Sequence, residues 1–280
     1  MTLPIDELLK IRTLPTVEGA TLVLAFSGWM DGGDVSTGTV ERLVDLLKAR
    51  PFAEIDPEPF YIYNFPGPME VATLFRPQVE VAGGLVKKIK MPQNRFFCHE
   101  AGNLILFIGK EPNLHWRNFG RCIFELADRV GVEQILFVGS FGGSVPHTRE
   151  PRLFVSCTNA GILAEMERFG LRPSDYKGPG SFTNYLMASA ASEGIAMTSL
   201  VAEIPGYLQG VNPLCIAAVT RQLAKILQLS LDSDALRSAS TEWELQVSSI
   251  VEQDAELTQE VRRLEEEYDN ELLRSEAEEA

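Results

Sequence analysis

The sequence predicts an α/β protein with an appended helical segment, and three observations predict it. Short apolar runs without alternation recur between residues 21 and 204, and such runs read as strands buried on both faces. Several end in glycine-bearing polar loops, and stripes of apolar residues at helical spacing follow them, the strand–loop–helix order of an α/β sheet. From residue 235 the pattern changes to a seven-residue repeat, so the chain divides into 1–234 and 235–280.

Thr21–Phe26 is the first buried strand, and Ser27-Gly28-Trp29-Met30-Asp31-Gly32-Gly33-Asp34 is its exit. Asp34 caps a helix whose inner face carries Val40, Leu43, Val44 and Leu47 until Pro51 stops it. Asp31 serves either turn formation or a cleft. Phe60-Tyr61-Ile62-Tyr63 reads as an aromatic strand closed by the turn residues of 64–68. Val79–Met91 reads as one or two short strands about Gly83-Gly84, where Lys87, Lys88 and Lys90 suit an edge strand with one wet face. Leu104–Gly109 is a further buried strand. Asn113 caps the next helix, with Phe119, Ile123, Leu126 and Val130 inward and Gly131 as its stop.

The central stretch is Gln134–Pro151, QILFVGSFGGSVPHTREP. Its apolar half is a buried strand, and Gly139, Gly142 and Gly143 predict a tight loop at the strand's carboxyl end, where open α/β sheets meet their ligands. Between Pro146 and Pro151, His147 and Arg149 either satisfy backbone carbonyls in a rigid crossover or face a ligand or partner. Leu153–Cys157 is a strand, and Asn159 caps a helix carrying Leu163, Met166 and Phe169. Gly178-Pro179-Gly180-Ser181 opens a helix that Gly194 ends; a glycine loop at a helix start can hold an anion, although full phosphate-loop spacing is missing. Met197–Ile204 is the last strand, and Asn212-Pro213 starts a helix striped by Ile216, Val219, Leu223 and Ile226.

In the final segment Leu236, Trp243, Ile250, Leu257 and Leu264 recur at intervals of seven, with Val247, Val261 and Tyr268 at the complementary positions. That stripe fits a coiled coil between chains or a helix laid on its own domain, and Ser240 and Asp254 interrupt it.

The net charge of −14 argues against nucleic acid, and residues 251–280 alone hold 12 acidic residues against Arg262, Arg263 and Arg274, a balance of −9. No window approaches the ~20 apolar residues of a membrane span, and the amino end lacks a basic region followed by an apolar run, so a cytoplasmic protein is expected. Cys98, Cys122, Cys157 and Cys215 are far apart, as suits reduced packed thiols. The histidines at 99, 115 and 147 stand at no metal-ligand spacing, and no GxSxG, GxGxxG or complete phosphate loop occurs, so neither metal nor cofactor is expected. The acid–base candidates at strand exits are Glu111, His147 and Glu203. The candidate ligand contacts are Gly28, Asp31, Gly139, Gly142, Gly143, Arg149, Gly178, Gly180 and Ser181.

Five motifs in order carry a resemblance: 26–33 (FSGWMDGG), 109–113 (GKEPN) with Trp116, 138–149 (VGSFGGSVPHTR), 176–179 (YKGP) and 203–207 (EIPGY). Together they resemble the second proteasome assembly chaperone family, in its bacterial, actinobacterial-type branch, over about residues 21–234. The resemblance implies a three-layer α/β/α domain with a twisted mixed sheet, similar to the phosphorylase/hydrolase-like fold. It also implies self-association, often as trimers, and a protein partner, with proteasome subunits as the class that eukaryotic and archaeal relatives serve. It supplies no catalytic residues, and Gly206 stands where many members carry His. Two readings result. One is a non-enzymatic assembly chaperone or adaptor, oligomeric through the domain and the heptad helix, that offers the strand-exit rim to a partner's tail. The other is an anion-binding protein or hydrolase/phosphorylase-like enzyme using the same rim.

Overall fold

A computed structural model describes residues 4–231 and 234–279. Its first part comprises α1 (Ile5–Leu8), β1 (Leu9–Ile11), β2 (Ala20–Ser27), α2 (Val35–Leu47), β3 (Arg50–Ile55), α3 (Met69–Thr73), β4 (Gln78–Ala82), β5 (Leu85–Lys90), β6 (Asn94–His99) and β7 (Leu104–Lys110). Then come α4 (Trp116–Val130), β8 (Val132–Gly143), β9 (Leu153–Cys157), α5 (Ala160–Glu167), β10 (Arg172–Pro173), α6 (Phe182–Glu193), β11 (Ala196–Pro205), α7 (Pro213–Ile226), α8 (Asp234–Val251) and α9 (Ala255–Glu279).

Among the described residues one nine-stranded mixed sheet has the order β1-β3-β6-β7-β2-β8-β11-β9-β10. Its centre, β7-β2-β8-β11, is parallel, and β1, β3 and β6 on one side and β9 on the other join it antiparallel. The alternation of a strand distributes β2 between two cores. Leu22, Leu24 and Phe26 pack with Phe119, Leu126 and Leu186 under α4 and α6. Val23 and Ala25 pack with Val40, Leu43, Val219 and Leu223 under α2 and α7. Phe26 stands at the centre of the first core, its ring 5.3 Å from Phe107 and 5.5 Å from Phe182. A fully buried ring of this kind contributes about 1.5–3 kcal/mol. The result is the three-layer arrangement that the resemblance implies.

The helix signals at Asn159, Ser181 and Asn212 act as expected, each side chain accepting a bond from the first turn it caps. Elsewhere the structure corrects the sequence reading. Asp34 makes no side-chain cap; the carboxylate that serves the start of α2 is Asp31, which accepts from both the amide and the hydroxyl of Thr37. Asn113 is likewise no cap, since its side chain accepts from the Ile62 amide and α4 starts after His115. Phe60–Tyr63 is not a strand. Pro57 and Pro59 remove backbone donors there, and the Phe60 carbonyl instead holds the amides of Asn113 and Leu114. β4 and β5 form a hairpin outside the main sheet, turned by Gly83 (φ 61°) and Gly84 (φ 76°), and it is wet on both faces rather than one.

The largest correction concerns Gly139, Gly142 and Gly143. They are not a loop: β8 runs through them to Gly143, paired with β11 up to Pro205, and none of the three has a positive φ. Close packing explains the glycines. A Cβ at Gly139 would come 2.7 Å from the Phe137 ring, and one at Gly143 would collide with the Glu203 side chain.

The C-terminal segment is helical but broken once, between Val251 and Ala255, where Asp254 caps α9 by accepting from the Leu257 amide. Its apolar stripe packs on the same chain. Trp243 lies against the α2/α7 core, while Val247, Val251 and Val261 form a small cluster with Tyr207, Leu208 and Leu257. Leu264 and Tyr268 are also buried. The break shifts the phase, so Ile250 is exposed and Val251 takes the inward place. The side chain of Leu236 lies outside the described residues.

Candidate functional site

The carboxyl ends of β7, β2, β8 and β11 lie side by side, as their parallel register requires, and they form one rim. The sequence-predicted residues gather there in two groups.

On the β2/β7 side Glu111 is a tie. One carboxylate oxygen accepts from the Trp29 amide (3.0 Å), and the other from the Phe182 amide (2.8 Å) at the start of α6. Gly28 (φ 138°) lets the chain pass against this carboxylate, since a Cβ there would lie 3.0 Å from Glu111 Cβ. Ser181 forms a capping box with Asn184. The amino end of α6, where Gly178, Gly180 and Ser181 were expected to receive an anion, thus takes the chain's own Glu111 as its anion. Asp31 is held to Thr37 and bridges to Ser140, whose hydroxyl donates to the Gly32 carbonyl at 2.7 Å. Burial, only partly countered by the Thr37 bonds, pushes the Asp31 carboxyl up to about 6. Asp31 also lines a cavity of about 870 Å³ with Asp34, Glu41, Lys110, Arg76 and Lys90. Burial depresses the Lys110 ammonium below its ordinary value.

On the β8/β11 side Glu203 is nearly enclosed. It accepts from the Ser144 amide (2.7 Å) and from Arg152 Nη1 (3.0 Å), with the Glu203 side chain 7% exposed and that of Arg152 10%. The His147 amide donates to the Tyr207 hydroxyl at 2.9 Å, and Nδ1 of its ring lies 2.7 Å from the same oxygen. Nε2 lies 3.1 Å from Ser248 Oγ, so each ring nitrogen has a hydroxyl partner and either neutral tautomer is satisfied. Burial lowers the His147 pKa, with a smaller opposing push from Glu265, so the ring is neutral at pH 7. Arg149 forms a two-pronged pair with Asp269 (2.8 and 2.9 Å), and Thr148 donates to Glu265. Arg152 and Arg172 both reach Glu271, and the Tyr268 hydroxyl donates to the Glu150 carbonyl at 3.0 Å. The loop 144–152 is therefore roofed by α8 and α9.

Between these groups the rim stays open. A cavity of about 600 Å³ is lined by Trp29, Met30, Phe141, Phe154, Tyr176 and Pro179. Trp29 is 65% exposed and Tyr176 63%, and the Phe141 ring lies tilted against Phe154 at 5.9 Å while remaining partly open. Sequence reasoning located Glu111, His147 and Glu203 at strand exits and missed Arg152 and the cavity aromatics. The signal was there in part: Trp29, Phe141 and Tyr176 are large apolar residues inside glycine-rich polar exits, where solubility alone would disfavour them.

Among the described residues no group of His, Cys, Asp or Glu is arranged to hold a metal ion, and no helix is long and apolar enough to cross a membrane. The four cysteines are free.

Residues 25–251 match the PAC2 family. The structure is similar to that of a Mycobacterium tuberculosis protein of unknown function, with TM-score 0.84 and 23% identity, covering 100% of this chain and 94% of the other. It is also similar to a proteasome-assembly chaperone homologue of M. tuberculosis, with TM-score 0.73 and 26% identity over 86% of this chain and 99% of the other. An archaeal proteasome activator from Pyrococcus furiosus shares the fold, with TM-score 0.64 and 19% identity over 86% of this chain and 97% of the other. No curated protein matches the sequence.

Proposed function

The chain belongs to the PAC2 family, and from that membership we propose that it is a non-enzymatic assembly chaperone or adaptor whose protein partners are proteasome components. The observation that carries the reading is the aromatic-lined cavity at the rim, where exposed Trp29, Phe141 and Tyr176 surround a space of about 600 Å³. Exposed aromatics beside a pocket are the usual anchors of a protein interface. The groups that would serve catalysis point the other way: Glu111, His147 and Glu203 each hold the chain's own backbone or side chains.

Self-association fits the β4–β5 hairpin better than the heptad stripe, because the stripe is covered in cis. Val79, Val81, Leu85, Val86 and Ile89 are all more than half exposed on an isolated two-stranded ribbon, which is marginal alone. Its Lys87, Lys88 and Lys90 against Glu80 make it basic on a chain of charge −14, so the occupant we assign to it is a second copy of the same acidic chain. The paired substitution Val86→Ser with Ile89→Ser is expected to turn an oligomer, trimeric by family resemblance, into a monomer in light scattering; an unchanged mass would reject the hairpin.

The test of the function is capture of the tagged protein from native lysate, beside Trp29→Ala with Tyr176→Ala. Stoichiometric proteasome subunits that are lost with the double variant support the reading. A clean homo-oligomer without partner rejects it.

A second reading, a small-anion site, belongs to the cavity where Lys110, Arg76 and Lys90 line the same space as Asp31, Asp34 and Glu41. Millimolar phosphate would then raise the melting temperature of the wild type and not of Lys110→Ala.

A further inference from the structure

Three arginines, Arg149, Arg152 and Arg172, lie along the edge where loop 144–152 meets the terminal strand β10, and all three are engaged by one helix, α9. The engagement has the form of a ligand in a site. Arg152, at the end of the loop before β9, and Arg172, in β10, approach the same Glu271 carboxylate, one oxygen each. One turn earlier the Tyr268 ring lies 4.7 Å below the Arg152 guanidinium, a cation–π contact. Asp269 takes the two-pronged bond from Arg149, and Glu265 takes Thr148. Positions 265, 268, 269 and 271 are one side of a helix read at three- and four-residue spacing. Burial raises the Glu271 carboxyl, and the Arg172 and Arg152 guanidiniums more than offset this, so it stays below the ordinary carboxylate range.

The helix is held in a way that permits its release. Asp254 and the broken turn before it give α9 a hinge. Its buried apolar anchors are Val261, Leu264 and Tyr268, and beyond Tyr268 the grip consists of ion pairs whose acidic partners are about half exposed. Such pairs contribute little net stability in water, and salt screens them. Leu272 and Leu273, the next apolar residues, are 41% and 64% exposed, so the helix gains no further burial past its last ion pair. Without α9 the strip would present three arginines, one of them backed by the enclosed Glu203, on a chain that is otherwise acidic.

We propose that the strip Arg149–Arg152–Arg172 is a docking site for an acidic helical segment of a partner protein, which α9 occupies in cis with Glu271 in the place of the partner's carboxylate. The matching segment carries an aromatic residue and a carboxylate three positions later on the same side. The tethered helix competes at high effective concentration, so the partner binds when α9 is loosened. This proposal does not rest on what the aromatic cavity binds.

The probe is a fluorescein-labelled peptide of residues 259–279 with neutralised ends, followed by anisotropy against three full-length proteins: wild type, Asp269→Asn/Glu271→Gln, and that double variant with Arg172→Gln. Arg172 is chosen because Arg152 also neutralises the buried Glu203. Loosening the cis helix is expected to tighten peptide binding about tenfold, the combined scale of the three exposed ion pairs that the competitor loses. Adding Arg172→Gln should reverse that gain while the melting curve stays cooperative. Equal binding to wild type and double variant overturns the proposal, as does a gain that survives Arg172→Gln. A double variant that becomes dimeric in light scattering and takes no peptide overturns it in favour of helix exchange between copies.

Discussion

The two halves of the rim differ in what they do with their side chains. At the exits of β8 and β11, Glu203, Arg152, His147 and Arg149 are paired within the chain and lie beneath α8 and α9. Beside them on the rim, Trp29 after β2, Phe141 of β8 and Tyr176 of the loop before α6 face solvent around a cavity. At these two places the polar groups are used for cohesion and the apolar groups are displayed. That is the reverse of a hydrolytic cleft, where titratable groups face the cavity and apolar walls support them. The comparison separates residues whose loss should unfold the protein from residues whose loss should only silence it.

The largest expected effect is at Arg152. Arg152→Ala leaves the Glu203 carboxylate enclosed without its cation and removes one of the two arginines that hold Glu271, and breaking a buried pair in this way costs about 3–5 kcal/mol. The urea midpoint should fall accordingly, and adding Glu203→Gln should restore part of the loss. A midpoint within ~0.5 kcal/mol of wild type would mean that the sealed half is not sealed.

Asp31 comes next and carries a sign. Its carboxyl is raised from 3.8 to about 6, so the folded protein binds its proton more tightly than the unfolded chain. Stability from this group is fully present below pH 3.8 and is lost as pH rises through about 6, with a span of about 3 kcal/mol for a shift of that size. The difference in unfolding free energy between wild type and Asp31→Asn should therefore slope across that window and flatten above it. A constant difference would show that Asp31 is solvated.

Tyr207→Phe tests the roof from inside. It removes the acceptor of the His147 amide and the hydroxyl partner of Nδ1, both inside the covered loop. A buried donor left unpaired costs about 1–3 kcal/mol, and chemical denaturation should show it.

These contrasts bear on what the sequence could disclose. The parallel strands were legible because burial on both faces leaves an unbroken apolar run, and the helix starts at Asn159, Ser181 and Asn212 because a capping side chain acts on its own first turn. Both signals are local. The glycines of β8 were misread because glycine also serves close packing; at Gly139 the atoms that demand it belong to the Phe137 ring, and at Gly143 they belong to Glu203, sixty residues on. Strands β3 and β6 escaped because each is short and carries polar residues; in β6, Asn94, Phe96 and Cys98 face inward while Arg95 and Phe97 do not share that burial. In the tail, the seven-residue repeat identified Val247, Val261, Leu264 and Tyr268 as buried, but not against what. A stripe records how much apolar surface needs covering, and a helix of another copy or the chain's own loop covers it equally well. For the same reason Arg152 and Glu271, 119 positions apart, gave no sign of one another.

The smallest expected change in stability is at the open half, and it is the one that separates the two halves most sharply. Tyr176 makes one side-chain hydrogen bond, from its hydroxyl to the nearby Pro179 carbonyl, and is 63% exposed. Tyr176→Ala should thus shift unfolding by no more than ~0.5 kcal/mol, as for an ordinary surface site. The aromatic wall of the cavity would nevertheless be breached, and an anchor of that kind is worth about 2 kcal/mol or more to an interface. Partner capture should therefore weaken by a factor of roughly 30 in a protein whose melting curve overlays the wild type. If capture and stability fell together, Tyr176 would belong to the cohesive half, and the division between polarity turned inward and apolarity turned outward would not hold at this rim.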